Sequence, residues 1–308
     1  MVTGLFSHAA CLAHDTGQGH PECPERLRAV LMRLEAEEFS YLDRREAPRA
    51  SSEQISRVHP SDFVDRILRT VPQAGLRLVD GDTVVSPGSG EAALRAAGAV
   101  CAAVDAVMAG ELRNAFCAVR PPGHHAEPSQ AMGFCLFNNV AIGAMHARAR
   151  WGLRRVAVVD FDVHHGNGTQ AAFEADADLF YCSTHQYPLY PGTGAAHEKG
   201  VAGNVVNMPL RPFAGSAEFR EGMERALVRL EGFAPELLLI SAGFDAHRAD
   251  PLAQLQLTDD DYYWVTQQLL EVARKTAQGR VVSTLEGGYD LQALADAAAA
   301  HVRALMVA

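Results

Sequence analysis

Short apolar runs alternate along this chain with longer stretches in which apolar residues recur every three or four positions. The short runs predict buried strands at Gly4–Ser7, Ala115–Val119, Val156–Asp160, Leu179–Ser183, Val205–Met208, Leu237–Ser241 and Val281–Leu285. The periodic stretches predict helices at Pro24–Phe39, Ser61–Thr70, Glu91–Ala109, Asn138–Arg150, Gly168–Ala175, Ser216–Glu231, Asp259–Ala277 and Leu291–Leu305. Thr258, followed by three aspartates, supplies an N-cap and an acidic first turn. Strands alternating with helices predict an α/β fold, a parallel sheet with helices on its faces. Polar, Gly- or His-bearing segments follow the strands that end at Val119, Asp160, Ser183, Ser241 and Leu285. Ligands bind outside the carboxyl ends of strands in open α/β sheets, so these segments are where a site is expected.

Composition narrows the class. The chain has 308 residues, 48% hydrophobic and 21% charged, enough for a large core. No Pro/Ser/Gly-rich linker, low-complexity tract or repeat divides it, which predicts one domain over residues 1–308. A formal net charge of -10 without a Lys/Arg block argues against nucleic acid as a partner, which needs a basic footprint. The six cysteines form no C-x-x-C pair and read as small buried hydrophobes in a reducing compartment. The start, M-V-T-G-L-F-S-H-A-A, lacks a positive n-region and a sustained apolar h-region. No run approaches the roughly 18 apolar residues of a membrane span. The expectation is a soluble cytoplasmic protein without a membrane partner.

Candidate chemistry concentrates at Val156–Thr169, V-A-V-V-D-F-D-V-H-H-G-N-G-T. Strand alternation places Asp160, Asp162 and His164 on one side. Two carboxylates and an imidazole at a buried strand end are costly unless a cation neutralises them. An ion-pair network without metal is the plainer alternative. Gly166 and Gly168 are expected to let the chain turn into the next helix. Ser241–His247, S-A-G-F-D-A-H, brings Asp245 to another strand end. Alone, Asp245 can simply cap a turn. With Asp162 and His164 it completes two oxygens and one nitrogen with an open fourth position, the pattern of a catalytic metal. Zn2+ suits that set, and Fe2+ or Mn2+ compete. The adjacent histidines of Arg120–Ala126, R-P-P-G-H-H-A, read alone as a surface pair or as satisfied core histidines. Tyr289, in L-E-G-G-Y-D, either packs as a turn aromatic or donates its hydroxyl to a developing oxyanion.

Taken together and in this order, R-P-P-G-H-H-A, D-x-D-x-H-H-G-N-G-T, S-A-G-F-D-A-H and E-G-G-Y-D resemble the histone deacetylase and acetylpolyamine amidohydrolase family. The resemblance begins at H-P-E-C-P-E-R-L (His20–Leu27) and covers nearly the whole chain. The Asn167-Gly-Thr-Gln variant and S-A-G-F-D-A-H-R-A-D-P-L look like its class II and bacterial branch. It implies an arginase-like three-layer fold, an eight-stranded parallel sheet sandwiched by helices. Seven strands are legible, so the eighth is expected before residue 115. The resemblance implies Asp162, His164 and Asp245 as zinc ligands. It implies His125 as the general base toward water and then the acid toward the amine, with His124 as its electrostatic partner. Asp160 would orient His124, and Asn167 would hold the second imidazole where another branch has aspartate. Tyr289 would hydrogen-bond the substrate carbonyl and then the oxyanion. A structural potassium ion is implied at Asp160, Asp162, His164, Ser183 and Thr184, partly through backbone carbonyls. A second, outer cation site is implied at Phe173–Leu179.

The family's narrow aromatic tunnel maps to Gly133, Phe134 and Tyr190, and its rim to Leu252. The plainer alternative for Phe134 is a core residue. Many relatives have phenylalanine where Tyr190 stands, so this wall is more polar. Leu252 replaces an acidic residue of a polyamine-selective branch and cannot pair with a distal ammonium. The expected substrates are therefore acyl-lysine side chains or small acylated amines, with acetylpolyamine as the alternative. Cys135 as a nucleophile lacks a placed base. An arginase-like two-metal enzyme and a silent acyl-amine binder are the competing classes. Homo-oligomers are common among relatives.

Overall fold

Each predicted strand forms and pairs in parallel with its neighbours. The computed structural model describes residues 2–307. In chain order the elements are β1 (Thr3–Ser7), α1 (Pro24–Arg33), β2 (Asp43–Glu46), α2 (Ser52–Ser56), α3 (Ser61–Thr70), β3 (Arg77–Leu78), β4 (Val84–Val85), α4 (Ser89–Met108), β5 (Asn114–Cys117) and α5 (Asn139–Trp151). They continue with β6 (Val156–Asp160), α6 (Asn167–Phe173), β7 (Leu179–Gln186), β8 (Val205–Leu210), α7 (Ser216–Phe233), β9 (Leu237–Ala242), α8 (Asp259–Thr276), β10 (Val281–Leu285) and α9 (Leu291–Met306). Eight strands make one sheet in the order β2-β1-β5-β10-β9-β6-β7-β8, and β3 and β4 pair apart as a small antiparallel ribbon. Helices α1, α9, α8 and α7 pack in succession as one layer, and α4, α5 and α6 form the other. This is the three-layer α/β fold expected from the resemblance, with β6, β9 and β10 wholly buried.

The eighth strand is β2, at the sheet edge beside β1, with Gly4 opposite Asp43. Its sequence, D-R-R-E, alternates half-buried and exposed positions and carries no apolar residue. An edge strand with charged side chains resists further pairing, and hydrophobic periodicity cannot flag it. The first helix is shorter than its periodicity suggests. It ends at Arg33, and Phe39 is buried from a separate 3-10 turn, Glu37–Phe39. The one-turn helix α2 was outside the prediction, although its reciprocal cap between Ser51 and Gln54 is a sequence signal. Asp261, at the start of α8, accepts from the Thr258 backbone N–H at 3.0 Å and from Ser216 Oγ at 2.7 Å and Arg220 Nε at 2.9 Å. The acidic first turn thus ties α8 to α7. Among the described residues no helix is long and apolar enough to cross a membrane.

The order places β5, β10, β9 and β6 side by side, so the four chemical segments leave four adjacent strands on one edge of the sheet. Beneath them, His301 of α9 is fully buried among Phe116, Phe161 and Phe244. Its two ring nitrogens meet Thr266 Oγ1 of α8 at 2.6 Å and Ser283 Oγ of β10 at 2.8 Å. Burial lowers its pKa from 6.5 to about 3. Between those values the unfolded chain binds a proton that the native imidazole refuses. Stability is therefore full above about pH 6.5 and is lost as pH falls toward 3. The expected loss from this residue is about 2 kcal/mol near pH 5. Urea unfolding of wild type and His301→Gln near pH 8 and pH 5 checks this. The variant should lose about that much less on acidification; equal losses would refute it.

Candidate active site

Strand β6 ends at Asp160, and the chain bends at residues 162–164. Strand alternation therefore does not aim Asp162 and His164, contrary to the sequence expectation. Aspartate carboxylates shape the turn instead. Asp160 Oδ1 accepts from the Asp162 N–H at 3.1 Å, and Asp162 Oδ1 accepts from the His164 N–H at 2.9 Å. Asp245 Oδ1 reaches across from the β9 loop to the Val163 N–H at 2.8 Å. The glycines of this segment serve close approach rather than turning. A Cβ on Gly166 would run into Asp160, and one on Gly168 into the Ala126 carbonyl.

Asp162, His164 and Asp245 offer ligand atoms that all lie within 4.8 Å of one another, and all three residues are buried. His164 Nδ1 stands 3.1 Å from both Asp162 Oδ1 and Asp245 Oδ2. Asp160 stays outside this set and faces the histidine pair. Burial opposes a charged imidazole, but hydrogen bonds to Asp162 and Asp245 raise the His164 pKa to about 10. Burial first, and then the Asp162 charge, raise Asp245 to about 6. The protein groups alone thus gather one proton at the point where two carboxylates converge, and a divalent cation fits that demand. The cradle is tight as well. A Cβ on Gly243 would meet the Asp162 carboxylate, and one on Gly287 the Asp245 carboxylate. Among the described residues this is the one such group, whereas an arginase-like site needs two ions.

The paired histidines sit beside it, with ring centroids 4.0 Å apart. His124 Nδ1 meets Asp160 Oδ2 at 3.0 Å, and His125 Nδ1 meets Asn167 Oδ1 at 2.8 Å. Burial disfavours charge on both. For His124 the carboxylates of Asp162, Asp160 and Glu286 prevail and hold it well above its ordinary value. For His125 the neighbouring His124 and His164 add to burial and hold it well below. Burial is thus overcome in one ring and reinforced in the other, which pushes the two histidines in opposite directions.

Tyr289 packs between the Phe134 ring, 5.9 Å away edge to face, and the Arg26 guanidinium, 4.9 Å from its centroid. Burial pushes its phenol well above the ordinary range, so the hydroxyl stays a donor. Phe134 and Gly133 both have positive φ, 68° and 56°, and Gly133 lies flush against the His125 ring. Phe134 is half-buried, not core. Tyr190 is exposed at the surface and stacks edge-on to His125 at 5.2 Å. Asp250 accepts from the Leu252 N–H at 2.9 Å and the Tyr289 N–H at 2.7 Å, which ties the rim residue to the tyrosine loop. Cys135 donates its thiol to the Gly133 carbonyl, and burial pushes its pKa well up, which leaves no nucleophilic thiolate. All six cysteines are free. Ser183 is the register partner of Asp160, and the Thr184 hydroxyl is buried without a hydrogen-bond partner. In the Phe173–Leu179 stretch, the carbonyls of Phe173, Asp176 and Leu179 converge at 2.9–3.1 Å on the Asn204 side-chain nitrogen.

Four supporting residues escaped the sequence reading. Glu286 Oε2 accepts from the N–H groups of Gly123 at 2.7 Å and His124 at 3.1 Å, and burial raises its pKa to about 7. Arg26 and Arg120, both fully buried, converge on Glu22. Arg26 also donates to the carbonyls of Gly288 and Glu286 at 2.5 and 2.6 Å, so H-P-E-C-P-E-R-L holds the Tyr289 loop. The one available signal was charge inside segments otherwise built of Pro, Gly and apolar residues.

A family profile described as "Histone deacetylase domain" matches residues 20–305. A protein named "Histone deacetylase-like amidohydrolase" from Pseudomonas aeruginosa is 42% identical over 310 residues, covering 93% of this chain and 81% of that protein. A "Probable deacetylase" from Archaeoglobus fulgidus is 38% identical over 303 residues, covering 95% of this chain and 82% of its own length. The crystal structure of the HDA15 HD domain superposes with a TM-score of 0.94 at 35% identity, covering 99% of this chain and 88% of that one.

The Gly243 contact gives a direct test of the ion cradle. Gly243→Ala should displace the Asp162 carboxylate and weaken Zn2+ binding about 10–100-fold, as losses around a metal's ligands do. Competition against a chromophoric chelator measures it. Unchanged affinity would take Asp162 out of the donor set.

Proposed function

The chain belongs to the histone deacetylase family, whose members are hydrolytic deacetylases, and from that premise we propose a zinc-dependent amidohydrolase acting on N-acyl-lysine side chains or small acylated amines. The observation that carries this reading is the convergence of Asp162, His164 and Asp245 beside two histidines of opposite charge preference. In this reading residues 1–308 act as one catalytic unit.

Asp162, His164 and Asp245 would hold the zinc ion, with Fe2+ and Mn2+ as competitors for the same donors. When bound, the ion supplies Lewis acidity toward the amide carbonyl and the attacking water. His125, neutral and donating from Nδ1 to Asn167, keeps its Nε2 lone pair for the proton of that water and later passes it to the departing amine. His124, whose charge is favoured first by Asp162 and then by Asp160, stabilises the negative charge that develops. Tyr289 remains protonated and donates to the carbonyl oxygen as it becomes an oxyanion. A structural potassium ion would sit at Asp160, Asp162, His164, Ser183 and Thr184. The buried, unpartnered Thr184 hydroxyl beside the Asp160–Ser183 pair supports that placement.

Phe134 and Tyr190 would wall the acyl-amine tunnel around Gly133, since their rings flank Tyr289 and His125. Leu252 would line its rim without a charge for a distal ammonium, which favours acyl-lysine and simple acyl amines over polyamines.

Three measurements test the proposal. Chelation should abolish turnover and Zn2+ should restore it, while Tyr289→Phe should lower kcat about 10²–10³-fold with KM little changed. Turnover that survives chelation would sink the metal mechanism, and an unaffected Tyr289→Phe would remove the tyrosine from it. In side-by-side assays, kcat/KM for an acetyl-lysine peptide should match or exceed that for acetylputrescine. A large excess for acetylputrescine would instead establish the acetylpolyamine reading.

A further inference from the structure

An asparagine beside a catalytic imidazole has a problem that an aspartate does not. Its amide has a donor end and an acceptor end of nearly the same shape, and either can face the ring. If the oxygen faces His125 Nδ1, that nitrogen carries the proton and Nε2 keeps its lone pair. If the NH2 group faces it, Nδ1 must accept, the proton moves to Nε2, and the ring is useless as a base toward water. Something has to fix the amide.

We propose that Glu127 is that positioning residue: it holds the Asn167 amide with its oxygen toward His125 and so sets the tautomer of the proton-shuttling ring. This rests on the reading of His125 given above. Asn167 Nδ2 donates to Glu127 Oε1 at 2.8 Å and approaches Met132 Sδ at 3.4 Å. Both partners accept, and the glutamate carboxylate is the stronger acceptor. The NH2 group is therefore turned away from the histidine, and Oδ1 is left 2.8 Å from His125 Nδ1. The chain Glu127–Asn167–His125 has one consistent direction, from acceptor through amide to imidazole.

The backbone keeps the three residues in place. The Glu127 N–H donates to the Gln130 carbonyl at 2.9 Å, and the Gln130 N–H returns a bond to the Glu127 carbonyl at 3.3 Å. Asn138 Nδ2 holds the preceding Ala126 carbonyl at 3.2 Å. From the other side, the Thr169 N–H of α6 donates to the His124 carbonyl at 3.2 Å, docking the Asn167 turn against the histidine loop. Glu127 follows the histidines by two residues but touches neither ring in a hydrogen bond; it acts through Asn167.

The test separates positioning from simple structural support. Glu127→Ala should lower kcat about 10–100-fold, with KM and the thermal midpoint little changed. Glu127→Gln should retain kcat within about threefold, because a carboxamide oxygen takes the same N–H. Asn167→Asp needs no orientation and places a second carboxylate against Glu127. In that background Glu127→Ala should cost nothing and should raise kcat by relieving the like-charge contact. Equal losses for Glu127→Ala in both backgrounds, or a Glu127→Gln as impaired as Glu127→Ala, would overturn the inference. His125→Ala, measured alongside, keeps the two ideas apart. If it retains turnover, the shuttle reading itself fails. If it is inactive while Glu127→Ala is fully active, the positioning role alone fails.

Discussion

The arrangement depends on keeping carboxylates ionisable inside an apolar interior. Asp160, Asp162 and Asp245 have no exposed surface, and a bare buried charge is too costly to survive. Each is therefore supplied with donors from the chain itself. Gly287, His164 and Val163 give backbone N–H groups to Asp162 and Asp245, and Asp160 shares His124 and the Tyr181 hydroxyl. Those donors fix where the oxygens point. Orientation is thus set before any ion or substrate arrives, and reorganisation during reaction is small. The sharp bend after β6 and the side-chain-free positions around it follow from the same need.

A second polar layer lies behind the first. Glu22 is fully buried, and although burial opposes its ionisation, Arg120, His14 and Arg26 hold it well below the usual carboxylate range. A buried pair of this kind adds little net stability against an apolar replacement, yet loss of one partner is severe. Its role here is geometric. Arg26 carries its remaining donors to the loop that presents Tyr289, while Glu286 of the same loop grips the histidine segment at Gly123 and His124. Tyrosine and histidines are thereby referenced to one another through main-chain contacts.

The sequence was most legible where chemistry and hydrophobic pattern coincide. The apolar run Val156–Val159 followed by Asp160, Asp162 and His164 announces a buried strand and its charge problem in one segment. The neighbourhoods of Asp245 and Tyr289 follow the same rule, since each comes just after a wholly buried strand. Strand β2 was illegible because charged residues at a sheet edge leave no period to read. Glu286, Glu22, Arg26 and Arg120 were illegible as supports for a different reason: apart from the local Glu22–Arg26 pair, the contacts that join them to the site span roughly a hundred or more residues, so only folding shows which group meets which. The aim of Asp162 and His164 was mispredicted because the alternation of a strand was extended past the point where it ends.

The place of β10 has a consequence for how the molecule comes into being. It is the last strand made, yet it lies between β5 and β9 at the middle of the sheet. Until it arrives, a growing polypeptide has its two halves facing each other across a gap, with an open hydrogen-bonding rim on each side. Ribosomal synthesis therefore delivers the keystone last. From the completion of β9 until then, the nascent protein is a divided object in need of protection from foreign strands.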